Sequence, residues 1–322
     1  MSLSIFLTSP HHGLKSRLSL LQRGFCALAL LIGVAIPIAA ASRSLRISWL
    51  PHTIAVGSPC LFRVDVTSPV ASMRGEWMGH EITFFPSSER HAWYGLAGVD
   101  VEAKPGSYKL SLEATLADGR VVRDEQTVVV QSGHYKTEKL TVPEKFVQPE
   151  PETLRRIEAE KKIKDAAFSH VIAQPEWSGN FVPPIDTTVS EGFGTRRTFN
   201  GKLASVHRGL DYHAKPGSPV TAANSGEVVL ARELFYEGNC VIVDHGQQFY
   251  TLYMHLSHLE VSEGEKVEKG QEIGLSGATG RATGPHLHTA VRWQGAYLDP
   301  AQLWLLPLPQ LPSTGQSQTN SK

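Results

Sequence analysis

The stretch TGRATGPHLHTAVRW, residues 279–293, sets two histidines one residue apart behind a run of glycines and threonines. On an extended strand, residues i and i+2 share a face, so His286 and His288 are expected to project side by side. Coincidence on a polar strand face is one explanation of such a pair. The other is a metal ligand beside a catalytic neighbour, and that explanation requires partners elsewhere in the chain.

The partners lie upstream. Seven of the 14 histidines fall between positions 207 and 288. SVHRGLDYHA (205–214) holds His207 and Asp211 four residues apart, a spacing that keeps both on one side of a strand and also suits a helix. A hard carboxylate oxygen with borderline imidazole nitrogens suits zinc, one position being left for water. His288 completes a His207–Asp211–His288 set. His245, between a strand and Gly246, reads as a turn residue bonded to backbone, and His213 and His258 read as solvent-facing. His255, in LYMHLSH, lies at even spacing from Tyr253, so an unbroken strand would project phenol and imidazole together. Tyr253 is thus placed either to orient a histidine or to pack.

The texture around these residues is β. GEVVLAREL, NCVIVDHG, QQFYTLYMHL and GEKVEKGQEIGLSG are strand-like segments between glycine turns, and HTAVRW carries the histidine pair. Residues 177–307 are read as one domain of this kind, with a disordered Pro, Gln, Ser and Thr tail over 308–322. Residues 42–135 differ. In SYKLSLEATL, Tyr108, Leu110, Leu112, Ala114 and Leu116 alternate with polar residues, ADGR offers a hairpin turn, and VVRDEQTVVV returns. With CLFRVDVT, HEITFF and HAWYGLAGVD this predicts an immunoglobulin-like β-sandwich, independent of the rest and without chemistry of its own. Between the two, residues 136–176 form a connector, proline-rich at first and then helical over PETLRRIEAEKKIKDAAF, with Leu154, Ile157 and Ile163 as its apolar stripe.

Residues 1–41 read as a targeting segment. Lys15, Arg17 and Arg23 precede an uncharged apolar run, GFCALALLIGVAIPIAAAS, and Ala39 and Ala41 fit an A-x-A cleavage pattern. At about 18 residues the run also suffices, marginally, for a retained N-terminal membrane anchor. Either way the remainder is expected to be exported, to the periplasm or cell envelope. Cys60 and Cys240 then face an oxidising compartment, where buried thiols are expected rather than a disulfide. The 31 basic and 31 acidic residues balance, and without the targeting segment the chain is slightly acidic, which excludes nucleic acid as an electrostatic partner. No phosphate loop, dinucleotide fingerprint or G-x-S-x-G elbow is present.

HRGLD, YMHL and GPHLH, in this order, resemble the lysostaphin/LytM-type zinc metallopeptidases, over residues 188 to 300. SEGFGTRRTFNG, KPGSPVTAANSGEVV and GEKVEKGQEIGLSGATGRATGPHLH support the resemblance. It implies a C-terminal antiparallel β metallopeptidase domain with one zinc ion on His207, Asp211 and His288. It implies His255 and His286 as catalytic residues that do not bind the metal, and peptidoglycan peptides as partners. The activity implied is hydrolysis of peptide cross-links by a metal-activated water, with histidine moving the protons because no H-E-x-x-H glutamate exists. The alternative within the same fold is a non-enzymatic cell-wall regulator that activates another hydrolase. That reading predicts lost ligands, and all five positions are filled. A carrier module, suggested by hairpins such as GEKVEKGQEIG, leaves the histidines unexplained.

Overall fold

The computed structural model describes residues 45–87, 91–201 and 203–311. The targeting segment therefore lies outside the described residues. The architecture is mainly β. An eight-stranded antiparallel sheet organises the C-terminal half in the order Val189–Glu191, Leu210–Tyr212, Leu287–Trp293, Phe249–Leu256, Gly238–Asp244, Gly226–Leu234 and Lys266–Val267, with Ala296–Leu298 paired to Leu287–Trp293 as well. Alternation along the strands divides its two faces. Phe249, Thr251 and Tyr253, with Leu287, Thr289, Val291 and Trp293 on the neighbouring strand, point into the main core. Tyr250, Leu252 and Met254, with His288, Ala290 and Arg292, point the other way.

That second face is shared by a helix and a cleft. Helix α1, Pro151–Ser169, starts with proline in its first turn and lays Ile163, Ala167 and Phe168 on Leu252, Tyr250 and their neighbours. Tyr250 Oη donates to the carbonyls of Phe168 and His170 at 3.0 and 2.7 Å. The apolar stripe differs from expectation at its start, since Leu154 remains 50 % exposed and the packed residues lie at the C-terminal end of the helix.

Strands from 45 to 131 form two further sheets. One runs Leu45–Leu50, Pro59–Val66, Ala92–Gly98, Phe85–Pro86; the other runs Ile54–Ala55, Val121–Gln131, Gly106–Leu116, Val70–Trp77, His80–Thr83. They face each other through contacts such as Phe62 on Trp77, with ring centres 5.1 Å apart. None of these strands pairs into the C-terminal sheet, yet the cores merge. Phe85 meets Trp177 edge to face, Tyr297 N donates to Asp100 at 2.8 Å, and Asp299 N donates to the Gly57 carbonyl at 2.7 Å. The junction between the two halves is packed and hydrogen-bonded as an interior is, and the described residues from 45 to 311 fall in one compact unit. Within the tail expected from 308, Leu308 is buried and its N–H bonds Asn180 Oδ1, while 312–322 lie outside the described residues. Cys60 and Cys240 are buried free thiols.

The connector departs most from expectation. Thr137–Leu140 is a strand, pairing in parallel with Arg196–Phe199, which in turn pairs with Leu203–Val206. Beyond it, Val142 and Phe146 pack on Phe199 with Phe235 and Tyr236 alongside. This segment forms part of the wall of the cleft described below.

Two predictions come from the buried junction and core. A Cβ at Gly98 would lie 2.3 Å from Leu298 Cδ2, so Gly98→Ala should lower unfolding free energy by about 1–3 kcal/mol. Denaturant titration should still show one transition for both halves; two separate transitions would contradict the merged core. His245 is wholly buried between the Ser225 carbonyl and Thr251 Oγ1, each at 2.7 Å, and burial pushes its pKa down to about 4. An ordinary histidine in the unfolded chain titrates near 6.5, so the neutral fold is fully favoured above that pH and loses stability as pH falls toward 4, by up to about 3 kcal/mol. Stability measured against pH should be flatter over this window in His245→Gln than in the parent, and parallel curves would refute the assignment.

Candidate active site

One row of side chains crosses the sheet. Register pairs Glu191 with Asp211, Asp211 with His288, and His288 with Met254, so all four share a face and line one cleft. His207 enters from the end of the Leu203–Val206 strand, and its Nδ1 lies 2.8 Å from the Gly192 carbonyl. A carbonyl only accepts, so that nitrogen carries the proton and Nε2 presents a lone pair. His207 Nε2 lies 3.1 Å from Asp211 Oδ1 and 3.0 Å from His288 Nδ1, and His288 Nδ1 lies 2.7 Å from Asp211 Oδ1. Three donor atoms from three parts of the chain thus converge on one point.

The donor set fits a divalent cation. Tetrahedral ligands at about 2.0–2.2 Å from zinc stand about 3.3–3.6 Å apart, so the triad need open by only about half an ångström. Two borderline nitrogens and one carboxylate oxygen leave a fourth position free in such a geometry. His207, Asp211 and His288 are also the single group of three or more potential metal-ligating side chains among the described residues.

The second oxygen of Asp211 is engaged elsewhere. Arg197 Nη2 donates to Oδ2 at 2.7 Å while its Nε donates to Glu191 Oε1 at 2.7 Å. Burial alone would raise the Asp211 carboxyl, but bonds to His207 and His288 hold it well below the usual carboxylate range. The Glu191–Arg197 pair leaves Oδ1 as the oxygen facing the histidines. Sequence reasoning missed both residues. Their segment, SEGFGTRRTFNG, counted only as support for the family resemblance, and nothing in its spacing aims a guanidinium at Asp211.

His255 reaches the site by an unexpected route. It follows Met254, which is paired to His288, so regular alternation would send its ring to the opposite face with Tyr253. A positive φ of 62° at His255 breaks that alternation. Its ring centre comes to 4.8 Å from that of His286 and 6.1 Å from that of His288. The Thr279 carbonyl accepts from His255 Nδ1 at 2.8 Å, which leaves Nε2 unprotonated. Burial, reinforced by His286 and His288, pushes the His255 pKa down to about 3. The expected shared projection of Tyr253 and His255 is thereby corrected. Tyr253 is fully buried on the core face, where Oη accepts from Ala223 N at 2.7 Å and lies 2.8 Å from Thr251 Oγ1.

His286 and His288 do share a face, with His286 just before the strand and bridged to Gly277. His286 Nδ1 donates to the Gly284 carbonyl at 2.8 Å, and Nε2 lies 3.8 Å from Asp211 Oδ1. The cleft, of about 430 Å³, is lined besides the histidines by Leu140, Val142, Phe199, Tyr236, Arg281 and Thr283. His213 lines its rim, whereas His258 is exposed and His245 belongs to the core.

The crowding behind His288 yields a third prediction. A Cβ at Gly209 would lie 2.4 Å from the Thr289 carbonyl oxygen and 2.6 Å from His288 Nε2. Backbone on one side and the ring on the other leave no easy escape, so Gly209→Ala should displace His288. Metal content after zinc loading and gel filtration should drop well below one equivalent while far-ultraviolet circular dichroism stays native. Full occupancy in that variant would contradict the geometry.

Comparison with known proteins agrees with this geometry. The family model Peptidase family M23 matches residues 205–300. Peptidoglycan DD-endopeptidase ShyA of Vibrio cholerae is 44 % identical over 108 residues, 33 % of this chain and 25 % of that protein. The DD-carboxypeptidase/endopeptidase Mpg of Neisseria meningitidis is 36 % identical over 140 residues, 44 % of this chain and 32 % of its own length. The chain thus spans a quarter to a third of these curated relatives. A Pseudomonas aeruginosa crystal structure described as a peptidase M23 aligns more fully, covering 78 % of this chain and 94 % of its own at 30 % identity, with a TM-score of 0.59. That alignment extends well beyond the peptidase segment, and with the motifs read from the sequence it places the chain in a family: this protein belongs to peptidase family M23.

Proposed function

We propose that the protein is a zinc-dependent endopeptidase that hydrolyses peptide cross-links of bacterial peptidoglycan. The convergence of His207, Asp211 and His288 at 2.7–3.1 Å in a cleft flanked by two further histidines carries this reading. The name DD-endopeptidase on relatives such as ShyA supports the substrate class and points to the DD cross-link. Zinc, when bound, supplies a Lewis acid that polarises the scissile carbonyl and lowers the pKa of water toward about 7.

The chain's own residues do the rest. His255 and His286 each have Nδ1 committed to a backbone carbonyl, so each presents an unprotonated Nε2. Either imidazole can take the proton of the attacking water and return it to the leaving amine nitrogen. A ring so protonated is also a donor to the oxygen that gains charge when the carbonyl carbon becomes tetrahedral. The cleft wall at Leu140, Val142 and Phe199 offers an apolar surface along which an extended peptide can lie.

The N-terminal strands fit an immunoglobulin-like sandwich that supports this domain. Basic residues before an apolar run in residues 1–41 support export to the cell envelope, by a cleaved signal or an inner-membrane anchor.

Purified protein incubated with peptidoglycan should release un-cross-linked peptides, lose this activity to a chelator and regain it with zinc. Replacement of His255 or His286 by Ala should lower turnover by roughly 10²–10⁴-fold with one equivalent of metal retained. Asp211→Ala and His288→Ala should lose the metal itself. If His286→Ala empties the site and His288→Ala leaves it full, the roles of the pair are reversed. Stoichiometric zinc without any cleavage would instead support a non-enzymatic cell-wall regulator.

A further inference from the structure

Arg281 stands on the loop leading to His286 and lines the same cleft as Asp211, His255 and His288. Its guanidinium carbon lies 4.8 Å from the ring centre of Phe199 and 4.7 Å from that of Tyr236. Ring faces hold the plane of a guanidinium and shed water from it, but they satisfy none of its N–H donors. The Arg281 backbone is fixed as well, its N–H donating to the Tyr236 carbonyl at 2.9 Å.

Of the carboxylates nearby, Glu138 also lines the cleft but forms no bond to Arg281, and the others are committed. Arg197 holds Glu191 and Asp211, and Lys164 of α1 holds Glu237, whose charge also acts on Arg281. Arg197, the other guanidinium of the cleft, is itself occupied by its two acidic partners. Burial pulls the Arg281 pKa below its usual value, although the group stays protonated at neutral pH. Among the described residues no side chain forms a hydrogen bond or ion pair with Arg281. A planar, partly desolvated cation with its donor fork unfilled, on the wall of a peptide-sized cleft, is matched by a carboxylate, which can accept two parallel N–H bonds.

We propose that Arg281 is a specificity determinant that binds a free carboxylate of an acidic peptide substrate while the scissile bond lies against His255 and His286. The assignment rests on the endopeptidase reading of the cleft. Phe199 and Tyr236 act as the backing plate that keeps the fork aimed at the substrate. A carboxamide in place of the carboxylate offers one acceptor and no charge, so amidated peptides are the disfavoured class.

The experiment compares two cross-linked peptides that differ only in a free carboxylate or a primary carboxamide beside the scissile bond, with the zinc-loaded full chain. The parent should favour the acidic peptide in kcat/KM, mainly through KM. Arg281→Gln should lower kcat/KM on that peptide by roughly 10–100-fold, the range for a lost hydrogen-bonded charge pair, and bring the ratio between the two peptides to about one. Arg281→Lys, which keeps the charge without the fork, should fall between. An unchanged ratio in Arg281→Gln, with equal loss on both peptides, would assign Arg281 to holding the aromatic wall and overturn the proposal. If the parent cleaves neither peptide, the endopeptidase reading fails, and calorimetric titration of the acidic peptide into metal-free protein decides about Arg281 alone. There, weaker binding by Arg281→Gln upholds the carboxylate site and equal binding rejects it.

Discussion

The Asp211 carboxylate is the junction on which the site depends. One oxygen faces two imidazoles and the other is held by Arg197, which Glu191 grips in turn. A buried charged group is costly unless its partners are complete, and charge networks of this kind contribute little net stability. Their effect here is orientation. By occupying Oδ2, the guanidinium leaves Asp211 one oxygen to offer a metal and keeps it beside His207 and His288. Four short strands must be in register for this to hold, which is why the row Glu191–Asp211–His288–Met254 coincides with the pairing of the sheet.

The catalytic side of the site is made by the opposite means, a local breach of that register. Left-handed backbone at a residue other than glycine costs of order 1–3 kcal/mol and persists only where surroundings enforce it. At His255 the enforcement is visible, because its N–H donates to the Glu237 carbonyl and its ring to the Thr279 carbonyl, each at 2.8 Å. The strand thus gives up one step of alternation and gains an imidazole on the metal-binding face. Regular sheet geometry brings His207, Asp211 and His288 together, and an irregularity brings the His255 imidazole beside them.

This division explains what could be read from sequence. The pair at 286 and 288 and the four-residue step from His207 to Asp211 are periodicities, and periodicity survives folding wherever strands are regular. The β character of both halves and the helix after Pro151 follow from the same kind of signal. The expectation for His255 and Tyr253 failed for the reason it was made: it assumed an unbroken strand. Arg197, Glu191 and Arg281 carry no period of their own, and their significance appears only when distant segments meet. The merged core belongs to the same class, since Gly98 against Leu298 is a contact between residues two hundred positions apart.

The parallel strand Thr137–Leu140 has a consequence for where the enzyme begins. It lies before α1, in a stretch that composition marks as a linker, yet it is hydrogen-bonded to Arg196–Phe199 and leads directly into Val142 at the cleft. The cleft is therefore assembled from segments on both sides of α1, as a mortise is cut in one timber and closed by another. A fragment starting at residue 177 would keep every histidine of the site and lack one jamb of the doorway. In this molecule the boundary of the chemistry and the boundary of the fold are different lines.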